Sequence, residues 1–201
     1  IFGGVLAWLA GHRTKFWSRL ISLFTLGINL LILIIVWLQF LILPSSGYEW
    51  ITEVNIPWIP QLGINLYLAM DGLSLLLVML NNFLGIMAVI ASWKEIQYKV
   101  GFFHFNLLWI VSALTGAFLA LDLMVFYFFW ELMLIPLYFL IGIWGHENRI
   151  YAALKFFLFT QFSGLLMLLS ILGLYFLHAQ ETGLYTFDYL ALLGTSIGPA
   201  T

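Results

Sequence analysis

The sequence predicts an all-α fold, a polytopic transmembrane helical bundle, and three observations predict it. The 201 residues are 64% hydrophobic and only 8% charged, with a mean hydropathy of +1.07. The apolar residues fall into several runs of about 20, the length that crosses a hydrocarbon core of roughly 30 Å. Six of the seven Lys and Arg fall into alternate connections between those runs, and Lys155 lies just inside the span that follows one of them. A soluble domain of this size has too little interior to hide so much apolar surface, and the runs lack the alternation expected of barrel strands.

In chain order, the uninterrupted apolar windows place a partial span at 1–10 and full spans at 20–43, 70–93, 102–121, 123–144 and 150–177. Pro44, Gly101, Asp122 and Gly145 supply turn signals between them. The chain opens IFGGVLAWLAGHR without an initiator Met and closes in LLGTSIGPAT, so residues 1–201 read as part of a single, longer transmembrane domain cut at both ends. Arg13, Lys15 and Arg19 follow the first span, Lys94 and Lys99 the third, and Arg149 and Lys155 the fifth. Short cytoplasmic loops retain Lys and Arg, so these connections are expected in the cytoplasm and residues 44–69, Asp122 and 178–201 on the far side. The expected location is a bacterial inner (plasma) membrane, with the lipid bilayer as an obligatory partner.

Composition also excludes. The net charge is −2 and the basic residues are scattered, so nothing suggests a nucleic-acid partner. Zero cysteines exclude thiolate-held iron–sulfur clusters, disulfides and Cys-zinc sites. Neither G-x-G-x-x-G nor a Walker loop occurs, which argues against a nucleotide bound by this chain. Trp17, Trp58, Trp93, Trp144 and Tyr48 read as interfacial anchors. His12, His104, His146 and His178 also sit near span ends, and no two share metal-ligand spacing.

The stretch FYFFWELMLIPLYFLIGIWG, 126–145, carries the sharpest functional signal, because Glu131 interrupts it. Eight residues past Leu123, it lies roughly 12 Å into the core. An acid at that depth costs about 2.5–3.5 kcal/mol on insertion scales, and Glu is too short to reach the interface, so it must face protein or water. Helical spacing puts Tyr127, Glu131, Tyr138 and Gly142 on one face. Pro136 has no amide hydrogen and leaves the Leu132 carbonyl without its helical partner, loosening the turn beside the acid. Such an acid either glues helices together or exchanges protons. A cation that approaches and retreats makes a carboxyl load and release a proton, a task that Gln could not perform.

Other polar residues carry paired readings. Lys155 is an interfacial lysine or a member of a proton path. Asp71 is a helix N-cap, with Ser74 three residues on, or a path member. Asp122 reads as a turn and cap residue, and Asn81 and Asn82 as interhelical glue. Thr160, Ser163, Gly164 and Ser170 in the last span, and Ser112, Gly116 and Ala120 in the fourth, read as close small-residue packing or a hydrated path.

The segments MDGLSLLLVML, ASWKEIQYKVGFFHFNLLWI, LALDLMVFYFFWELMLIPLYFLIGIWGH and ALKFFLFTQFSGLLMLL resemble, in order and spacing, the antiporter-like membrane subunits of proton-pumping NADH-quinone oxidoreductase (complex I), the subunit M group in particular. ITEVNIPWIPQLGINLYLAMDG resembles that group's second-to-third loop, and W-E-x-M-L-x-P is the most specific part. The resemblance implies a fourteen-helix subunit of which this chain is the N-terminal part, built on inverted five-helix repeats. It implies that Glu131 pairs with a lysine on the seventh helix and that a central lysine follows on the eighth. It further implies that NADH, FMN, iron–sulfur clusters and quinone belong to other subunits, with no cofactor in this chain. Neighbouring antiporter-like subunits would be its partners, in a translocase that couples quinone reduction to proton pumping. Related cation/proton antiporters and membrane-bound hydrogenases share the plan, and a structural spacer is the reading from another class.

Overall fold

The computed structural model describes residues 1–42 and 50–195; Leu43, Pro44, Tyr48 and the tail beyond Thr195 lie outside the described residues. A short apolar helix, α1 (Phe2–Gly11), is followed by α2 (Lys15–Ile42). A hairpin of β1 (Thr52–Ile59) and β2 (Ile64–Met70) comes next, and then α3 (Gly72–Glu95), α4 (Val100–Leu119), α5 (Leu123–Leu132), α6 (Leu134–Trp144), α7 (Arg149–Thr182) and α8 (Tyr189–Leu192). Five helices are long and apolar enough to cross a membrane when α5 and α6 count as one, and α1 is a shorter apolar helix. The chain is an integral, multi-pass membrane protein.

Local chemistry sets the helix starts. The Asp71 carboxylate accepts from the Ser74 amide at 2.7 Å and begins α3, while Asp122 Oδ1 accepts from the Met124 and Val125 amides at 2.9 and 3.1 Å and begins α5. At the other end of the bundle, Lys99 and Asn148 take the left-handed conformation just before α4 and α7, with φ of 48° and 58°. The last span runs further than its apolar window suggests, to Thr182, where Gly183 at φ +75° stops it in a left-handed cap. At 1.5 Å per residue, its 34 residues reach about 51 Å, so α7 projects beyond the hydrocarbon.

The hairpin is the element that the span reading leaves undescribed. β1 and β2 pair antiparallel from Thr52↔Met70 to Ile59↔Ile64, turning through Pro60–Leu62 and Gly63. Gly63 has φ +68°, and a Cβ built on it would collide with the Tyr185 carbonyl, so no side chain fits there. β2 then ties the helix ends together. The Leu121 amide donates to the Tyr67 carbonyl at 2.9 Å, the Asn65 amide to Asp122 Oδ2 at 3.0 Å, and the Tyr189 amide to the Leu121 carbonyl at 2.8 Å. Asp122 is 1% exposed at this junction and forms an isolated bridge with Asp188.

α4 is the centre of the bundle, packed against α1, α2, α3, α5 and α6, whereas α7 packs mainly on α5 and α6. Ala7, Leu26, Val89, Leu108 and Val111 form one buried cluster, and Val125, Ile171, Tyr175 and Phe187 belong to another beneath the hairpin. Gly116 lets the Phe129 ring lie where a Cβ would be 2.5 Å away, so the small residues of α4 serve close packing. Outward-facing Leu76, Leu80, Phe83, Phe162 and Leu169 leave an apolar surface suited to hydrocarbon or neighbouring helices.

The basic residues gather at one end. Lys15 Nζ reaches Gln97 Oε1 at 3.5 Å, Arg19 donates to the Ile96 carbonyl at 2.9 Å, Trp144 Nε1 to the Tyr98 carbonyl at 2.9 Å, and Arg149 to the Ile143 carbonyl at 2.8 Å. The hairpin, Asp122 and Asp188 occupy the opposite end. That segregation is the pattern expected of a bundle whose first end is cytoplasmic.

Candidate functional site

The span 123–144 breaks at Met133, between α5 and α6. Pro136 lies fully buried just beyond the break, where its missing amide deprives the Leu132 carbonyl of a partner. The next bond, from the Leu137 amide to the Met133 carbonyl, is stretched to 3.4 Å. Glu131 therefore occupies the final turn of α5, directly before an opened stretch of backbone.

Its side chain points at α7. Oε1 of Glu131 presses on Gly164, which is buried and has no Cβ to displace the carboxylate. Further along, the Tyr138 and Phe157 rings meet edge to face at 5.7 Å between centroids. Gly142 sits where a Cβ would touch that of Ala153 at 3.5 Å. From one pair to the next the positions advance on α5–α6 and retreat on α7 by equal steps. This is the register of two antiparallel helices packed along a shared seam. Tyr127, one turn before Glu131, is electrostatically coupled to it.

Among the described residues, Glu131 Oε1 is buried without a hydrogen-bond partner. A buried polar atom left in that condition costs about 1–3 kcal/mol, more when charged. The arrangement is an acid at mid-depth with an unpartnered oxygen beside freed backbone.

The other residues singled out in the sequence are not brought to this acid. Lys155 is exposed, with Nζ 5.8 Å from the Tyr151 ring centre. It lies nine positions before Gly164 on α7, about 13.5 Å along the axis and on the opposite helical face. Asp71 sits at the hairpin end, where its bonds to Ser74 hold the carboxyl below its ordinary value. Asp122, at the same end, is pushed up, first by burial and only then by the charge of Asp188, against the lowering pull of its amide donors. Thr160 and Ser170 hydroxyls bond carbonyls of their own helix at 2.6 and 3.1 Å. Asn81 bridges α3 to the Val111 carbonyl and Thr115 of α4, but Asn82 is corrected from interhelical glue. Its amide donates at 2.9 Å to Val78, on its own helix, because its side chain turns back along α3.

A second polar group was missed. His104, read as lying near a span end, is 1% exposed inside α4, with Nδ1 unpartnered among the described residues, and Arg19 of α2 acts on it electrostatically. Arg19 itself lies inside α2 rather than in a loop and is 8% exposed, its guanidinium 5.4 Å from the Trp93 ring centre. The signal existed: His104, Leu108 and Val111 recur at core spacing. Among the described residues no three His, Asp or Glu side chains converge as a metal site would require.

With this geometry in place, comparisons with known proteins become informative. The family described as "NADH:quinone oxidoreductase/Mrp antiporter, TM" matches residues 120–196, the stretch that carries both Glu131 and Gly164. The chain is 49% identical over 207 residues to NADH-quinone oxidoreductase subunit M of Pseudomonas aeruginosa, an alignment covering 98% of this chain and 41% of the relative. The chain is similar to this relative over almost its whole length, and residues 120–196 carry the family's match. The Escherichia coli K12 protein of the same name is 48% identical over 201 residues, covering 96% of this chain and 40% of the relative. The chain thus spans about two fifths of the length of these antiporter-like relatives. In fold, it superposes on a chain of respiratory complex I from Thermus thermophilus with bound NADH, at TM-score 0.71 and 22% identity, over 96% of this chain and 39% of that one. The antiporter-like fold accounts for five apolar spans in the described residues.

Proposed function

We propose that the chain is part of a proton-translocating membrane subunit of an NADH:quinone oxidoreductase, in which Glu131 is the proton-exchanging group of one half-channel. The single observation that carries the reading is the mid-depth carboxylate pressed on Gly164 with Oε1 unpartnered. Glue would use both oxygens; an exchanging acid keeps one for an incoming donor. Pro136 supplies the opened backbone, Tyr127 a coupled hydroxyl and Tyr138 the packing that holds α6 on α7. Lys155 and Asp71 belong to the route only as outlying members, toward the cytoplasmic and hairpin ends. Oxidoreduction elsewhere in the complex drives the exchange, and NADH, FMN, iron–sulfur clusters and quinone reside in its other subunits. Neighbouring antiporter-like subunits are the partners, and residues 1–201 are the N-terminal part of one fourteen-helix domain. The similarity to curated subunit M proteins across almost the whole chain supports this assignment.

Glu131→Gln in the full-length, assembled complex tests the role. Proton translocation and coupled quinone reduction should fall together while assembly is retained. Normal pumping by an assembled Gln variant would instead make this bundle a spacer between neighbours.

A further inference from the structure

A cleft of about 470 Å³ opens at the cytoplasmic end between α1 and the start of α4, a size in the range of small-ligand sites. Its lining includes His12, Lys15, Gln97 and Lys99 at the rim, with Trp8 and Phe102 on the side facing the membrane. Neither an Asp nor a Glu lines it. The floor is set by Gly11 and Gly101, whose backbones meet so closely that a Cβ on Gly101 would lie 2.8 Å from the Trp8 carbonyl. Both helices are thereby held with their polar ends side by side.

The donors that converge here are uncommitted. Lys15 makes only its 3.5 Å contact with Gln97, and Lys99 lies 5.2 Å from the centre of its neighbour Tyr98. His12, by contrast, spends its Nδ1–H on the Trp8 carbonyl at 3.0 Å. No side chain caps the first turn of α4, whose amides open beside Lys99. Two ammonium groups and the helix amides form a site for a tetrahedral anion, while the flanking rings offer apolar surface to whatever the anion is attached to.

We propose that this cleft binds the phosphodiester headgroup of an anionic phospholipid of the cytoplasmic leaflet, its chains lying along Trp8 and Phe102. The depth fits, because the cationic rim stands at the end of the bundle where headgroups lie and the rings lie below it. A free phosphate would satisfy the donors but leave the aromatic wall unused.

Native mass spectrometry of the full-length protein, released from nanodiscs of phosphatidylglycerol in phosphatidylcholine, tests the site. Wild type should retain an anionic lipid that Lys15→Gln/Lys99→Gln holds roughly 25-fold more weakly, at about fivefold per cation near the surface. Arg13→Gln removes a cytoplasmic charge outside the cleft and should retain the lipid as wild type does. If the double variant fails to fold, each single Lys→Gln change should still weaken retention about fivefold, and Lys→Arg should restore it. Equal retention by the charge-deleted proteins, equal loss in Arg13→Gln, or displacement by millimolar inorganic phosphate would overturn the proposal.

Discussion

Gly164→Ala isolates the position of the Glu131 carboxylate from its chemistry. In a bare helix Ala is favoured over Gly by about 0.8–1.0 kcal/mol, so the substitution strengthens α7 by propensity alone. The new Cβ, however, would overlap Glu131 Oε1. To regain ordinary contact near 3.4 Å, the carboxylate must withdraw, by about 1 Å, a misplacement that can cost a participating group on the order of 100-fold in rate. Overpacking of this kind costs about 1–3 kcal/mol, offset in part by the helical gain, so the net loss of up to about 2 kcal/mol should still allow the subunit to assemble. The measurement is quinone reduction and proton uptake by the assembled complex, normalised to its amount on a native gel. Gly173→Ala, on the same helix with nothing within 4 Å of its added Cβ, is the control and should behave as wild type. An assembled Gly164→Ala complex that pumps at the wild-type rate would refute the argument that Glu131 acts from its seat against α7.

Two further outcomes concern the hairpin end. Asp71→Ala should lower stability by about 1 kcal/mol through the lost cap, while Asp71→Asn should keep most of it, as thermal unfolding can show. The Asp71 carboxyl is held below its ordinary value in the fold, so its contribution is present above the unfolded pKa and should be lost as pH falls through the folded one. Asp122 has the opposite sign. Burial raises its folded value, so the favourable contribution is present below the ordinary carboxylate range and declines as pH rises through the raised value. The melting-temperature advantage of wild type over Asp122→Asn should therefore shrink from acid toward neutral pH; a difference that ignores pH would count against burial as the dominant cause.

Much of the architecture was legible because a bilayer punishes ambiguity. Unpaired backbone and unshielded charge are so costly in hydrocarbon that composition, run length and the placement of Lys and Arg mark the spans and their direction. The Asp71 and Asp122 caps were legible for a related reason, since each depends on amides within a few residues of the side chain. The hairpin was harder to read. Val54, Ile56 and Trp58 of β1 are exposed, so its alternation marks no buried face, and β2 is held by Ala120–Asp122, some fifty residues away. His104 and Arg19 were misplaced because residue type at a span end suggests an interface, whereas their burial depends on how α2 and α4 cross.

The chain's own order of residues established that it spans a membrane, that its basic residues gather at one end, that an acid sits near mid-depth and that Pro136 opens the turn beside it. Each is a local matter of transfer free energy or backbone chemistry. Packing alone could decide what that acid meets. Glu131 and Gly164 are far apart along the chain, and it takes the antiparallel register of α5–α6 on α7 to set a carboxylate against a helical position with no Cβ to repel it. Contacts of that kind depend on the relative placement of two helices, a property of the assembled bundle that neither helix carries by itself.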